Sequence, residues 1–187
     1  ALNTIVEAVD KLRDTASSHE RLFFVEVMGH TAGYLAMNSA IATGSEAAII
    51  PEMETEVDQL AELINHGFRK SKNSAIVIVA ENPKTGGATA LAERVKKEFP
   101  QYDARVTILG HIQRGGSPCA YDRILGVRFG SYAVELVEKR KFSCMVALRG
   151  TQMTAVPIEE AVKTLKLVDP DCQLVRTARD LGVCFGD

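Results

Sequence analysis

The run Ala104-Arg105-Val106-Thr107-Ile108-Leu109-Gly110-His111-Ile112-Gln113-Arg114-Gly115-Gly116-Ser117-Pro118 decides how this chain is read. Its first six residues alternate as a strand does, and a long helical pattern follows over 122–139. In an open α/β sheet, ligands lie just beyond the carboxyl end of such a strand. His111 offers a switchable positive donor and Arg114 a permanent one, while Gly115 and Gly116 let the backbone come close. That suits a phosphate ester. On spacing alone it suits equally a glycine turn closed by Pro118 with two solvated side chains.

Upstream, helical spacing over 2–16 puts Ile5, Val6, Val9 and Leu12 on one face. An apolar strand over 22–28 and a small-residue helix over 29–43 follow, then a short strand over 47–50 stopped by Pro51. Val57, Leu60, Ala61, Ile64 and Phe68 fall at helical spacing, with Thr55 and Asp58 as a weak capping box. The β-branched run over 75–80 reads as a strand buried on both faces, followed by a loop over 82–87 and a helix over 89–99. Downstream lie a strand over 144–148 and helical patterns over 158–167 and 174–181, with Pro170 marking the expected linker. Strands alternating with helices predict parallel β-α-β units, and the fold class is α/β.

Of 187 residues, 46% are hydrophobic and 25% charged, which fits a globular protein with a sizeable core. A net charge of −2 supplies no basic field, which argues against nucleic acid or an anionic membrane as partner. No apolar run has the length of a membrane span. Cys119, Cys144, Cys172 and Cys184 lack metal-ligand spacing, and a reduced, cytoplasmic setting is expected. The helical pattern begins at Leu2, as in an ordinary domain or in a piece of a longer protein.

Parallel strands put their carboxyl ends on one rim, so Met28-Gly29-His30, Glu81, His111 and Arg114 can share a crevice. The pattern predicts that Met28-Gly29 opens a helix, offering N–H groups to a ligand. A carboxylate beside two cationic donors suits a sugar phosphate, hydroxyls at one end and phosphate at the other. Every α/β sheet, however, carries polar residues on that rim. Arg21 and Arg105 sit at the amino ends of their strands, where solvated flanking charges are common. Arg69-Lys70-Ser71-Lys72 either caps a helix or forms an anion site with Arg13.

The segment Asn82-Pro83-Lys84-Thr85-Gly86-Gly87-Ala88-Thr89 lacks G-x-x-x-x-G-K-[ST] and reads as a helix-entry loop. There is no G-x-G-x-x-G, no G-x-S-x-G, and no aspartate pair placed for magnesium or for deprotonating a hydroxyl. The chain is thus expected to hold a phosphorylated acceptor without reacting it.

Four segments resemble the 6-phosphofructokinase family: Arg21-Leu22-Phe23-Phe24-Val25-Glu26-Val27-Met28-Gly29, Ala40-Ile41-Ala42-Thr43-Gly44-Ser45-Glu46, the run 75–81, and the run 107–123. The last contains the His111 motif and Tyr121-Asp122-Arg123. The likeness runs from about residue 2 to residue 168, and the His111 motif is highly specific.

The resemblance implies a three-layer α/β/α lobe with a parallel sheet, plus return elements of a second, mostly missing lobe. Residues 1–111 would form the small, sugar-phosphate-binding lobe, 112–167 a return segment of the nucleotide-binding lobe, and 168–187 a tail helix packing back on the small lobe. Glu81, Met28 and Gly29 would contact the sugar of fructose 6-phosphate, and His111 and Arg114 would bind it from the same subunit. Arg21 and Arg105 would reach the phosphate held by a neighbouring subunit of a homo-oligomer, a tetramer in the full-length enzyme. Arg13, Gly44, Glu46, Lys70 and Lys72 would form an allosteric nucleotide site, with Glu46 near a magnesium ion. At His30 many bacterial members carry arginine, a departure at this position.

The family's glycine-rich nucleotide loop and catalytic aspartates do not occur here, so this stretch would begin after them, and alone it is expected to be inactive. Magnesium with ATP, or with pyrophosphate, would serve the whole enzyme, which makes fructose 1,6-bisphosphate in glycolysis. The alternative of another class is a stand-alone regulatory module that binds a sugar phosphate or nucleotide.

Overall fold

A computed structural model describes residues 1–15, 21–55, 74–82 and 86–187. They divide into two units, one of Ala1–Gly115 with Leu167–Asp187 and the other of Gly116–Lys166. The helix expected over 57–68 with its capping box, and the basic group 69–72, lie outside the described residues.

The first unit is built on β1 (Arg21–Val27), β2 (Ala47–Ile49), β3 (Ser74–Ala80) and β4 (Asp103–Ile108), all parallel, in the order β2-β3-β1-β4. Its helices are α1 (Leu2–Thr15), α2 (Tyr34–Thr43), α3 (Gly87–Glu98) and, in the tail, α6 (Gln173–Asp180). Because β1 is paired on both edges and covered on both faces, its sequence is an apolar run rather than an alternation. Phe23, Val25 and Val27 enter a core with Ile5 and Val9 of α1, Met37 and Ala40 of α2, and Val175 and Ala178 of α6. Leu22 and Phe24 enter the other core, with Leu91, Ala92 and Val95 of α3. Helices on both faces of a parallel sheet make the three layers expected of the α/β class.

The tail closes that first core. Val183 and Phe185 are buried in it, and Cys184 forms a parallel bridge beside β2. The Ala48 N–H donates to the Cys184 carbonyl (2.8 Å), and the Cys184 N–H to the Glu46 carbonyl (3.0 Å). Val168 is buried and its N–H donates to Glu52 Oε1 (2.8 Å), so the stretch before Pro170 is anchored rather than a free linker.

The second unit holds α4 (Ala120–Glu138), β5 (Cys144–Arg149), β6 (Gln152–Pro157) and α5 (Ile158–Lys163). Here two expectations are corrected. β5 and β6 form an antiparallel hairpin, Arg149 opposite Gln152, turning at Gly150 with φ +58°. Helix α5 ends at Lys163 instead of running to 167, Thr164 being already extended. No described helix is long and apolar enough to cross a membrane.

Candidate functional site on the carboxyl rim

β3, β1 and β4 are parallel neighbours, so the residues following them meet on one rim. The Glu81 N–H donates to the Val27 carbonyl (2.7 Å), and the Leu109 N–H donates to the Glu26 carbonyl (3.1 Å). Met28 and Gly29 follow β1 between these two. The backbone thus brings Glu81, Met28, Gly29 and the beginning of the His111 turn to adjacent strand ends.

Gly110–Arg114 is a single 3-10 turn. Residues three apart eclipse in such a turn, so His111 and Arg114 stand on one side, both exposed. Gln113 turns inward and is buried. Its Oε1 accepts the Met28 N–H (3.1 Å) and its Nε2 donates to the Gly110 carbonyl (2.9 Å). A buried amide engaged at both ends pins the cationic turn to the end of β1. Sequence reasoning gave Gln113 no role; the available sign is its place between two residues that share a face.

The rim is not a helix start at Met28-Gly29. Helix α2 begins at Tyr34, because the Ala32 N–H closes a turn on the Gly29 carbonyl (2.9 Å) with His30 at φ +55°. The Glu52 carboxylate then receives the Gly33 N–H with both oxygens at 3.0 Å. Helix-dipole assistance to a ligand at Met28 and Gly29 is therefore withdrawn, although both stay on the rim.

A cleft of about 500 Å³ opens there, lined among the described residues by Glu26, His30, Glu81, Asn82, Gly86 and Gly87. Glu26 is the residue that sequence reasoning missed. It alternates with Leu22 and Phe24 onto the face that α3 covers, and its Oε2 accepts the Ala88 N–H at 2.8 Å. A carboxylate inside an apolar strand run was the sign, because such a group needs a partner when partly buried. Gly86 and Gly87 both take positive φ, +78° and +62°. A Cβ on Gly87 would lie 2.2 Å from Glu26 Oε2, so only glycine admits the carboxylate in this position.

Arg21 and Arg105 stand at the other, amino-end side of the sheet, as strand polarity predicts. Arg105 donates from Nε and Nη2 to Asp103 Oδ2 (3.1 and 3.0 Å), and Arg21 Nε lies 4.0 Å from the same oxygen. Arg21 Nε is buried with no acceptor at hydrogen-bond distance among the described residues.

At the far end of α2, Arg13 Nη2 donates to the Thr43 carbonyl (2.8 Å), which places it beside Gly44, the left-handed cap at φ +61°. Glu46 is buried, and its Oε2 accepts the Ile76 N–H at 2.7 Å. Lys70 and Lys72 lie outside the described residues. Among the described residues no group of three or more His, Cys, Asp or Glu gathers as a metal site, so Glu46 alone does not make one.

These features define an α/β protein with a polar crevice on the carboxyl rim of a parallel sheet. The profile of the family described as Phosphofructokinase matches residues 1–137, and the chain belongs to that family. It is 59% identical over 183 residues to ATP-dependent 6-phosphofructokinase 2 of Bacteroides thetaiotaomicron, covering 98% of this chain and 56% of that relative. To the ATP-dependent 6-phosphofructokinase of Brevibacillus brevis it is 44% identical over 183 residues, with the same coverage. The chain thus spans about half the length of these relatives. The structure of phosphofructokinase from Saccharomyces cerevisiae superposes with a TM-score of 0.78 at 30% identity, over 96% of this chain and 24% of that one. A pyrophosphate-dependent phosphofructokinase from Marinobacter aquaeolei shares the fold, with a TM-score of 0.77 at 20% identity over 97% of this chain and 52% of that one.

Proposed function

We propose that this chain is the acceptor-binding part of a 6-phosphofructokinase and holds fructose 6-phosphate on the carboxyl rim. Glu81 and the Met28-Gly29 backbone take the sugar hydroxyls; His111 and Arg114 take the phosphate. The observation that carries this reading is Gln113, whose hydrogen bond to Met28 ties the cationic turn to the neighbouring strand end. Arg21 and Arg105 serve the phosphate of a neighbouring copy in a homo-oligomer, which agrees with their place at the opposite strand ends. Arg13 and Gly44, with Glu46, Lys70 and Lys72, form a site for an anionic or nucleotide effector.

ATP is the proposed donor because the relatives of high identity carry it in their names. In the whole enzyme ATP would supply the phosphoryl group and magnesium would neutralise its charge. This chain's own residues bind and orient the acceptor, the positioning part of phosphoryl transfer. Helix α4 supports the view that the second unit belongs to a nucleotide-binding lobe: Tyr121, Ile124, Val127, Val134 and Val137 are all exposed on it.

A charge-assisted hydrogen bond is worth about 1.5–3 kcal/mol, and about 1.4 kcal/mol is tenfold in affinity. In calorimetry on the full-length protein, Arg114→Ala should therefore bind fructose 6-phosphate roughly 10–100-fold more weakly. Unchanged affinity would remove Arg114 from the site.

A further inference from the structure

We infer that Glu52 is a positioning residue for the acceptor: its carboxylate holds the turn after β1 on which the Met28-Gly29 backbone is presented. The inference rests on the sugar-phosphate reading above, which gives the hydroxyls to that backbone. The turn runs over 28–33, and His30 stands in it at φ +55°. A residue with a Cβ keeps that conformation only where its surroundings enforce it. Inside the turn the Ala32 N–H donates to the Gly29 carbonyl (2.9 Å). Two side chains fix its ends. At the front, the buried Gln113 accepts the Met28 N–H (3.1 Å); at the rear, Glu52 accepts the Gly33 N–H on both oxygens at 3.0 Å. A Cβ on Gly33 would lie 2.3 Å from Ile50 Cβ and 2.9 Å from Glu52 Oε2, so only glycine lets the carboxylate close on this N–H.

What holds Glu52 in turn comes from far along the chain. Its Oε1 also accepts the Val168 N–H (2.8 Å), and next to Gly33 the Tyr34 hydroxyl donates to the Leu167 carbonyl (2.7 Å). Gln113 lies just before the chain leaves the first unit, after Gly115, and Leu167 and Val168 lie where it returns. Both crossings are therefore fastened, within the first unit, to the one short stretch over 28–34. A backbone that must meet hydroxyls with fixed atoms is loosened by the loss of any of these ties. Affinity then falls with the fraction of time the turn spends in its binding conformation.

Calorimetry on the full-length protein with fructose 6-phosphate separates positioning from folding, because it reads the dissociation constant and the number of sites independently. In Glu52→Ala the dissociation constant should rise about fivefold, the weight of one hydrogen bond, with the number of sites unchanged. Glu52→Gln keeps one oxygen that can accept both N–H groups and should bind within about twofold of wild type. An unchanged dissociation constant in Glu52→Ala, with or without loss of sites, is what a purely structural glutamate gives, and it overturns the inference. So does an equal loss of affinity in Glu52→Gln, which would make the charge the cause rather than the hydrogen bonds. Should Glu52→Ala not fold, Glu52→Asp, a methylene too short to reach Gly33 and Val168 at once, carries the same two outcomes. A wild type that does not bind fructose 6-phosphate, or an Arg114→Ala protein that binds it unchanged, overturns instead the rim reading on which the role of Glu52 rests.

Discussion

Helices α2 and α4 are both more than half apolar and have opposite fates. In α2, ten residues long, Ala36, Met37, Ser39 and Ala40 are buried against the sheet of its own unit. In α4, nineteen residues long, only Leu136 is buried. The first unit owns a four-stranded parallel sheet whose central strands β1 and β3 are largely buried; the second owns one two-stranded hairpin. A lone hairpin is too small a surface to bury a long helix, and a helix that leaves its apolar residues wet needs a cover. The difference is that, among the described residues, the first unit buries the apolar face of its helix against its own sheet, whereas α4 of the second unit leaves most of its apolar residues exposed.

The largest effect should come from separating the two. Joining 1–115 to 167–187 through a flexible glycine-serine linker should leave a protein that melts cooperatively by circular dichroism. The piece 116–166 alone should melt without a cooperative transition. A sharp transition in that piece would break the contrast at once.

A smaller effect sharpens it from inside the first unit. Glu52 receives the Gly33 N–H on both oxygens and the Val168 N–H on Oε1, joining the start of α2 to the tail. Glu52→Ala strands these partly buried donors and should cost about 2–4 kcal/mol in urea unfolding. An exposed carboxylate of the second unit, Glu159, should cost within about 0.5 kcal/mol when replaced by alanine. Equal losses would mean that the tail is not held as the structure holds it.

What the sequence made legible follows the same division. β1 and β3 were readable because burial on both faces leaves an apolar run, and strand polarity then placed Glu81, His111 and Arg114 on one rim and Arg21 and Arg105 at the other. The start of α2 was not readable. Gly29 to Gly33 is compatible with helix, and what stops it is a carboxylate that arrives 19 residues later, Glu52. β6 was not read as a strand, although β5, equally short and paired with it alone among the described strands, was. Gln113 and Glu26 were hidden for another reason. Their partners are backbone N–H groups, of Met28 and Ala88, 85 and 62 residues away along the chain, and every residue but proline has one.

The smallest effect concerns how tightly the tail closes over β2. Cys184 is partly buried, and loss of hydration pushes its thiol pKa up, while the Gly186 N–H on its sulfur (3.1 Å) pulls the other way. An unfolded thiol titrates near 8.5. With the folded value above that, the unfolded chain releases its proton first as pH rises. The folded state therefore loses stability from about pH 8.5 upward until the folded thiol ionises too, and nothing is lost below. Burial also raises the Tyr34 hydroxyl, which acts in the same direction but only from about pH 10. Between pH 8 and 9.5, wild type should lose about 0.5 kcal/mol more than Cys184→Ala in urea unfolding, the small size reflecting a side chain that water still reaches. Identical pH slopes would mean that the thiol is fully hydrated in the folded lobe. The tail would then lie more loosely over β2 than its bridge between Ala47 and Cys184 requires.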